Sequence, residues 1–176
     1  MTVSTLEPRS IYRFLDTNGD GTGVSDAVGH YSGAVEEFYI QPAAGEVIRI
    51  RRMIVSVGDT TGMQAQEYGN LAAALTNGVT IKQEKNGAVV SDITAGVPIK
   101  TNAAWGALCF DAELKTWGAG NELLVVRFTF KRGGSVVRLV ADRPTPDRLV
   151  VTVNDDLTGL LSHRFMIHGK YESILE

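Results

Sequence analysis

The stretch from Val79 to Ile93 constrains this chain most tightly: Val79 to Glu84 and Ala88 to Ile93 are both β-prone, and Asn86-Gly87 stands between them. A two-residue hairpin loop of the mirror-image type needs positive φ at both central residues. Asn and Gly tolerate it, and its twist matches that of the flanking strands. A lone hairpin is marginal in water, so further strands must cover it. The rest of the sequence supplies them. Val35 to Ile40 is a short apolar run closed by Gln41-Pro42, and Val47 to Val57 is rich in β-branched residues. Within the latter, Ile48 and Ile50 lie on one parity, whereas Met53, Val55 and Val57 lie on the other. One extra residue in a strand reverses the facing of everything beyond it, so a β-bulge is expected at Arg51-Arg52.

Leu108, Phe110, Ala112 and Leu114 alternate with Cys109, Asp111, Glu113 and Lys115, and Leu124, Val126, Phe128 and Phe130 form a second alternating set. Both read as half-buried strands. Arg132-Gly133-Gly134 reads as a turn returning the chain through Val136 to Val140; Leu149 to Val153 and Phe165 to Tyr171 complete the pattern beyond Pro144 and Pro146. Met63 to Tyr68, with its Met, Gln, Ala and Glu, is expected to make a short helical turn. Eight or nine short strands without intervening helices indicate an all-β fold, an antiparallel β-sandwich that is jelly-roll-like with a short helical turn. Residues 1–33 are expected to be an N-terminal arm and glycine-rich loop, and 34–176 a single globular domain.

Length and charge narrow the function classes. At 176 residues the chain fits one domain with a substantial core. Lys+Arg 17 against Asp+Glu 20 leaves a net charge of −3, without the basic stripe a nucleic-acid backbone would require. The single cysteine, Cys109, forms no internal bridge. No apolar run approaches the ~18 residues of a bilayer span, and the first residues lack a basic segment followed by an apolar core, so a soluble, unprocessed protein with no membrane partner is expected.

Several motifs invite a chemical reading. Asp16-Thr-Asn-Gly-Asp-Gly-Thr22 places oxygen ligands at positions one, three and five of an EF-hand-like loop, with glycine at six. The twelfth position is Ala27 and the eighth is Gly23, so the EF-hand pattern fails; Asp16, Asn18 and Asp20 are kept as a candidate cation loop against a plain Asx-rich turn. His163 and His168 are five apart, on opposite faces of a strand, and do not chelate together; His30 is remote in sequence. Cys109 sits in an alternating run, the setting of an inert thiol. No Gly-x-Ser-x-Gly elbow and no phosphate-binding glycine loop occurs. Asp111 and Glu113 project from one strand face, as a glycosidase pair does, although a solvated face or an interface is the commoner reason. Trp105 and Trp117 flank this strand; exposed, they would stack on sugar rings, but core or interface anchors are the more usual role.

The runs Tyr12-Arg-Phe-Leu-Asp-Thr-Asn-Gly-Asp-Gly-Thr-Gly, Gly69-Asn70 through Leu75-Thr-Asn-Gly-Val, Pro98-Ile-Lys-Thr-Asn-Ala-Ala-Trp-Gly, Trp117-Gly-Ala-Gly-Asn-Glu-Leu-Leu-Val-Val-Arg-Phe-Thr-Phe and Asn154-Asp-Asp-Leu-Thr-Gly-Leu together resemble virion structural proteins of tailed bacteriophages. The resemblance spans nearly the whole chain and carries no catalytic signature. It implies a jelly-roll sandwich in the assembled particle, synthesised in the host cytoplasm, that binds the outside of the head shell as a decoration or cement protein. Its expected partners are the major capsid protein or other virion subunits and further copies of itself, with a trimer as the guess. No enzyme activity and no cofactor are expected. The alternative is a tail- or neck-associated jelly-roll module that binds glycans through Trp105 and Trp117.

Overall fold

The structure, a computed structural model, describes residues 36–109, 111–116, 118, 120–130, 137–153, 155–157 and 159–173. The arm and the Asp16 to Thr22 loop lie outside the described residues. The hairpin forms where expected: β3 (Val79–Lys85) and β4 (Ala88–Asp92) are joined by Asn86 at φ 49° and Gly87 at φ 79°. It belongs to a four-stranded sheet of order β1-β8-β3-β4, with β1 at Glu36–Ile40 and β8 at Arg148–Val153. A second, five-stranded sheet is built on β2 (Glu46–Thr60), with β5 (Ala112–Thr116), β6 (Asn121–Thr129), β7 (Val137–Val140) and β9 (Ser162–Ser173). All the described pairings are antiparallel. The sheets close a sandwich over alternate inward residues, among them Ile81 and Val151 from one sheet and Val55, Val57, Val126 and Phe165 from the other.

The parity change in β2 is a bulge. Ile50 pairs with Gly169 and Arg52 with His168, which leaves Arg51 without a counterpart on β9, so Ile48, Ile50, Met53, Val55 and Val57 all face the core. The partner strand accommodates this through Gly169, where a Cβ would stand 2.3 Å from the Arg49 carbonyl oxygen, itself backbone. Gly169→Ala is therefore expected to destabilise the protein by about 1–3 kcal/mol, the usual cost of forcing extra atoms into a packed site. Urea unfolding measures it; a loss below about 0.5 kcal/mol, the level of a neutral surface change, would mean that the bulge slides without strain.

Three elements depart from the sequence reading. Residues 63–68 make turns rather than a helical turn, and the helix is α1 (Asn102–Leu108), capped by the Thr101 hydroxyl accepting from the Ala104 amide at 3.1 Å. The reason lies in the docking of the two segments: the Ala65 and Glu67 carbonyls accept the Ala103 and Asn102 amides, and the Asn102 side chain bonds Gln64 and Gly69. Backbone acceptors used in this way are not left for a local helix. Second, the run read as a strand from Leu108 starts only at Ala112, because Leu108 ends α1. Third, β7 does not return alongside β6. Arg52 to Thr60 pair with β6 and Val47 to Ile50 with β7, while β9 pairs with both stretches. A strand has two edges, so β6 and β7 follow one another along the edge opposite β9, and the length of β2 is what permits it.

Buried carboxylates tie the loops to the sheets. Asp147, fully buried, accepts the amides of Asn86 at 3.2 Å and Val140 at 3.1 Å and pairs with Arg143 Nε at 3.2 Å, which anchors the hairpin turn to the end of β7.

Candidate functional site

The residues singled out for chemistry fall into separate environments. Trp105 lies on the inward side of α1, fully buried, its ring edge-on to Phe128 with centroids 6.2 Å apart at 72°. It is a core anchor and presents no ring at the surface, which corrects the sugar-stacking role considered for it; α1 turns it inward, whereas an extended strand would have left its facing open. Trp117, His30 and the candidate cation residues Asp16, Asn18 and Asp20 lie outside the described residues. Among the described residues no group of three or more His, Cys, Asp or Glu side chains is placed to hold a metal ion. The Cys109 thiol donates to the Arg127 carbonyl at 2.7 Å, a structural role.

Asp111 and Glu113 do share a face, and what gathers them is Arg127 on β6. Its guanidinium reaches Asp111 at 3.0 Å and Glu113 at 3.4 Å, and Lys115 reaches Glu113 at 3.2 Å. The hydrogen bond from Lys115, with the charges of Lys115 and Arg127, holds the Glu113 carboxyl below its ordinary range, and Asp111 holds the Arg127 guanidinium above its own. A glycosidase pair needs one carboxyl kept protonated and the other ionised; the lowered Glu113 suits only the ionised role. Two acids and two bases make a neutral patch suited to contact. Arg127 escaped the sequence reading because its place opposite Asp111 depends on the β5–β6 register; only its polar parity on β6 hinted at an outward side chain.

His163 sits in an environment of its own. It points into the core opposite Val57, fully buried, with Nε2 at 2.9 Å from the Tyr68 hydroxyl and its ring 4.8 Å from Phe165. Burial pushes its pKa down to about 3. His168 pairs opposite Arg52 and lies half-buried beside Met166. The two histidines are thus on opposite faces, as their spacing required.

Of the six large apolar side chains exposed among the described residues, four lie on edge strands, whereas Val97, 65% exposed, lies in the loop after β4 and Leu161, 43% exposed, just before β9. Val89 and Val90 on β4 are 54% and 52% exposed, Leu114 on β5 51%, and Tyr39 on β1 50%, with the Arg148 guanidinium 5.0 Å from the Tyr39 ring centre. β1 and β4 bound one sheet, and β5 bounds the other. Comparison with protein-family models, curated proteins and solved structures returns no match. No helix among the described residues is long and apolar enough to cross a membrane.

Proposed function

We propose that this chain is a virion structural protein of a tailed bacteriophage that attaches to the outside of the head shell and stabilises it by burying surface, without catalysis. The observation that carries the reading is that four of the six exposed large apolar side chains among the described residues, Tyr39, Val89, Val90 and Leu114, stand on edge strands of a two-layer slab, the other two being Val97 and Leu161 in loops. A closely packed sandwich resists deformation, and apolar groups on its rims gain free energy only when a neighbour covers them. The sequence resemblance points to the same role, with the major capsid protein as the surface covered. A glycan-binding reading loses Trp105 to the core.

The test is mass spectrometry and electron cryomicroscopy of particles purified from the virus whose genome encodes the chain. The chain is expected in stoichiometric amount on the head exterior, and particles made without it are expected to release their DNA at a lower temperature. Particles that lack the chain, or carry it only inside, would overturn the reading.

A further inference from the structure

We infer that the free edge of β5 pairs antiparallel with β5 of a second copy of this chain, about a two-fold axis at Leu114. The ladder sets the geometry. The Arg127 amide donates to the Asp111 carbonyl at 2.9 Å, and Asp111 is directly opposite Arg127 in register, so odd-numbered residues of this strand turn their backbone groups toward β6. The alternation of an antiparallel ladder then turns the N–H and C=O groups of Ala112, Leu114 and Thr116 toward the open edge. Among the described residues β5 pairs only with β6, and from Glu113 to Thr116 it is exposed on both faces.

Antiparallel self-pairing about Leu114 satisfies those groups in register. Leu114 meets its own counterpart in a hydrogen-bonded pair, and Ala112 meets the second copy's Thr116. Between them, Glu113 falls opposite the second copy's Lys115 in the closely spaced, non-hydrogen-bonded position, where cross-strand charge pairs interact best. The sequence Ala112-Glu-Leu-Lys-Thr116 is therefore complementary to itself, acid to base and leucine to leucine. Leu114 shares the inward parity of its partner Leu124, which is buried, yet Leu114 is 51% exposed at the sheet's rim; the copy would cover it. The β4 edge suits self-pairing less well, because its register shifts between Gln83 and Glu84 on the β3 side, and a bulge twists an edge away from a partner. A two-fold contact closes after two copies, so the product is a dimer and not the trimer guessed from sequence. The inference holds wherever the chain acts, on a particle or off it.

Sedimentation velocity of the full chain across a wide concentration range tests it. The unmodified chain is expected to show a reversible monomer–dimer equilibrium. Leu114→Pro removes an amide that serves only the open edge, a position where an edge strand tolerates proline; it is expected to weaken the dimer at least about tenfold while the melting temperature holds. Lys115→Glu sets acids against acids and Glu113→Lys sets bases against bases, so each alone is expected to weaken self-association by a similar factor, and an equimolar mixture of the two to recover it as a heterodimer. The charge-swapped pair decides the matter should the proline variant fail to fold. A chain that stays monomeric at every concentration, one that forms a trimer, or a mixture that associates no better than its components would overturn the inference.

Discussion

Asp155→Ala is expected to cost about 3–4 kcal/mol of unfolding free energy, because three buried or part-buried amides lose a common acceptor. The Asp155 carboxylate, 8% exposed, accepts from Thr76 at 2.7 Å, from Asn77 at 3.1 and 3.0 Å, and from Gly78 at 2.5 Å. These amides form the turn that launches β3, and Gly78 sits there at φ +92° with the Ile99 carbonyl only 2.8 Å from where a Cβ would stand. The turn thus has little room to shift toward other acceptors, and water reaches it poorly. Asp155→Asn keeps one oxygen but turns an amide toward N–H groups, and is expected to lose about half as much. Denaturant unfolding of the two variants measures the series; an alanine variant within about 1 kcal/mol of the parent would show that water replaces the carboxylate, since an unmet buried donor costs at least that much.

The contrast between the hairpin and this turn shows what could be read from residues alone. Asn86-Gly87 encodes its own geometry, since positive φ at two adjacent positions is a local property, and the parity slip in β2 encodes the bulge because each residue there must face core or solvent. The carboxylate that holds Gly78 lies 77 positions away, and nothing in its neighbourhood marks it as an acceptor for that turn. The placement of β7 is hidden for the same reason: whether the chain folds back after β6 or continues depends on how much of the β2 edge remains unpaired. The helix was not read from the sequence: Leu108 and Phe110 fitted a strand alternation that overlaps its end, and tertiary docking onto residues 64–69 decided the matter. At the candidate surface, the shared face of Asp111 and Glu113 followed from the two-residue period of a strand, whereas Arg127 and the open edge of β5 follow from sheet order. Trp105 shows the limit most plainly, because an indole has the same formula in a core as on a sugar platform.

Acid is expected to destabilise the fold through His163 before most carboxylates protonate. In the folded protein the imidazole is neutral, with its pKa pushed down to about 3 from the ordinary 6.5 by burial. Nδ1 has no partner among the described residues, so an imidazolium, which must donate from both nitrogens, would leave a buried donor unmet beside the one Tyr68 can receive. Between those two pKa values the unfolded chain holds a proton that the folded chain does not, so unfolding takes up protons and stability falls as pH falls. The contribution is complete above pH 6.5 and drains away down to about 3, at about 1.4 kcal/mol per pH unit. From pH 6.5 to 4.5 the loss reaches about 2–3 kcal/mol, a large share of the stability of an ordinary domain. His163→Gln retains an acceptor for the Tyr68 hydroxyl and cannot take up a proton in this range. Its unfolding free energy, measured by urea titration at intervals from pH 7 to 4.5, is expected to fall more gently than the parent's by that slope, with the carboxylate contribution common to both. Parallel pH profiles for the two proteins would mean that the imidazole finds a way to protonate in place, and that Tyr68 and its loop move to allow it.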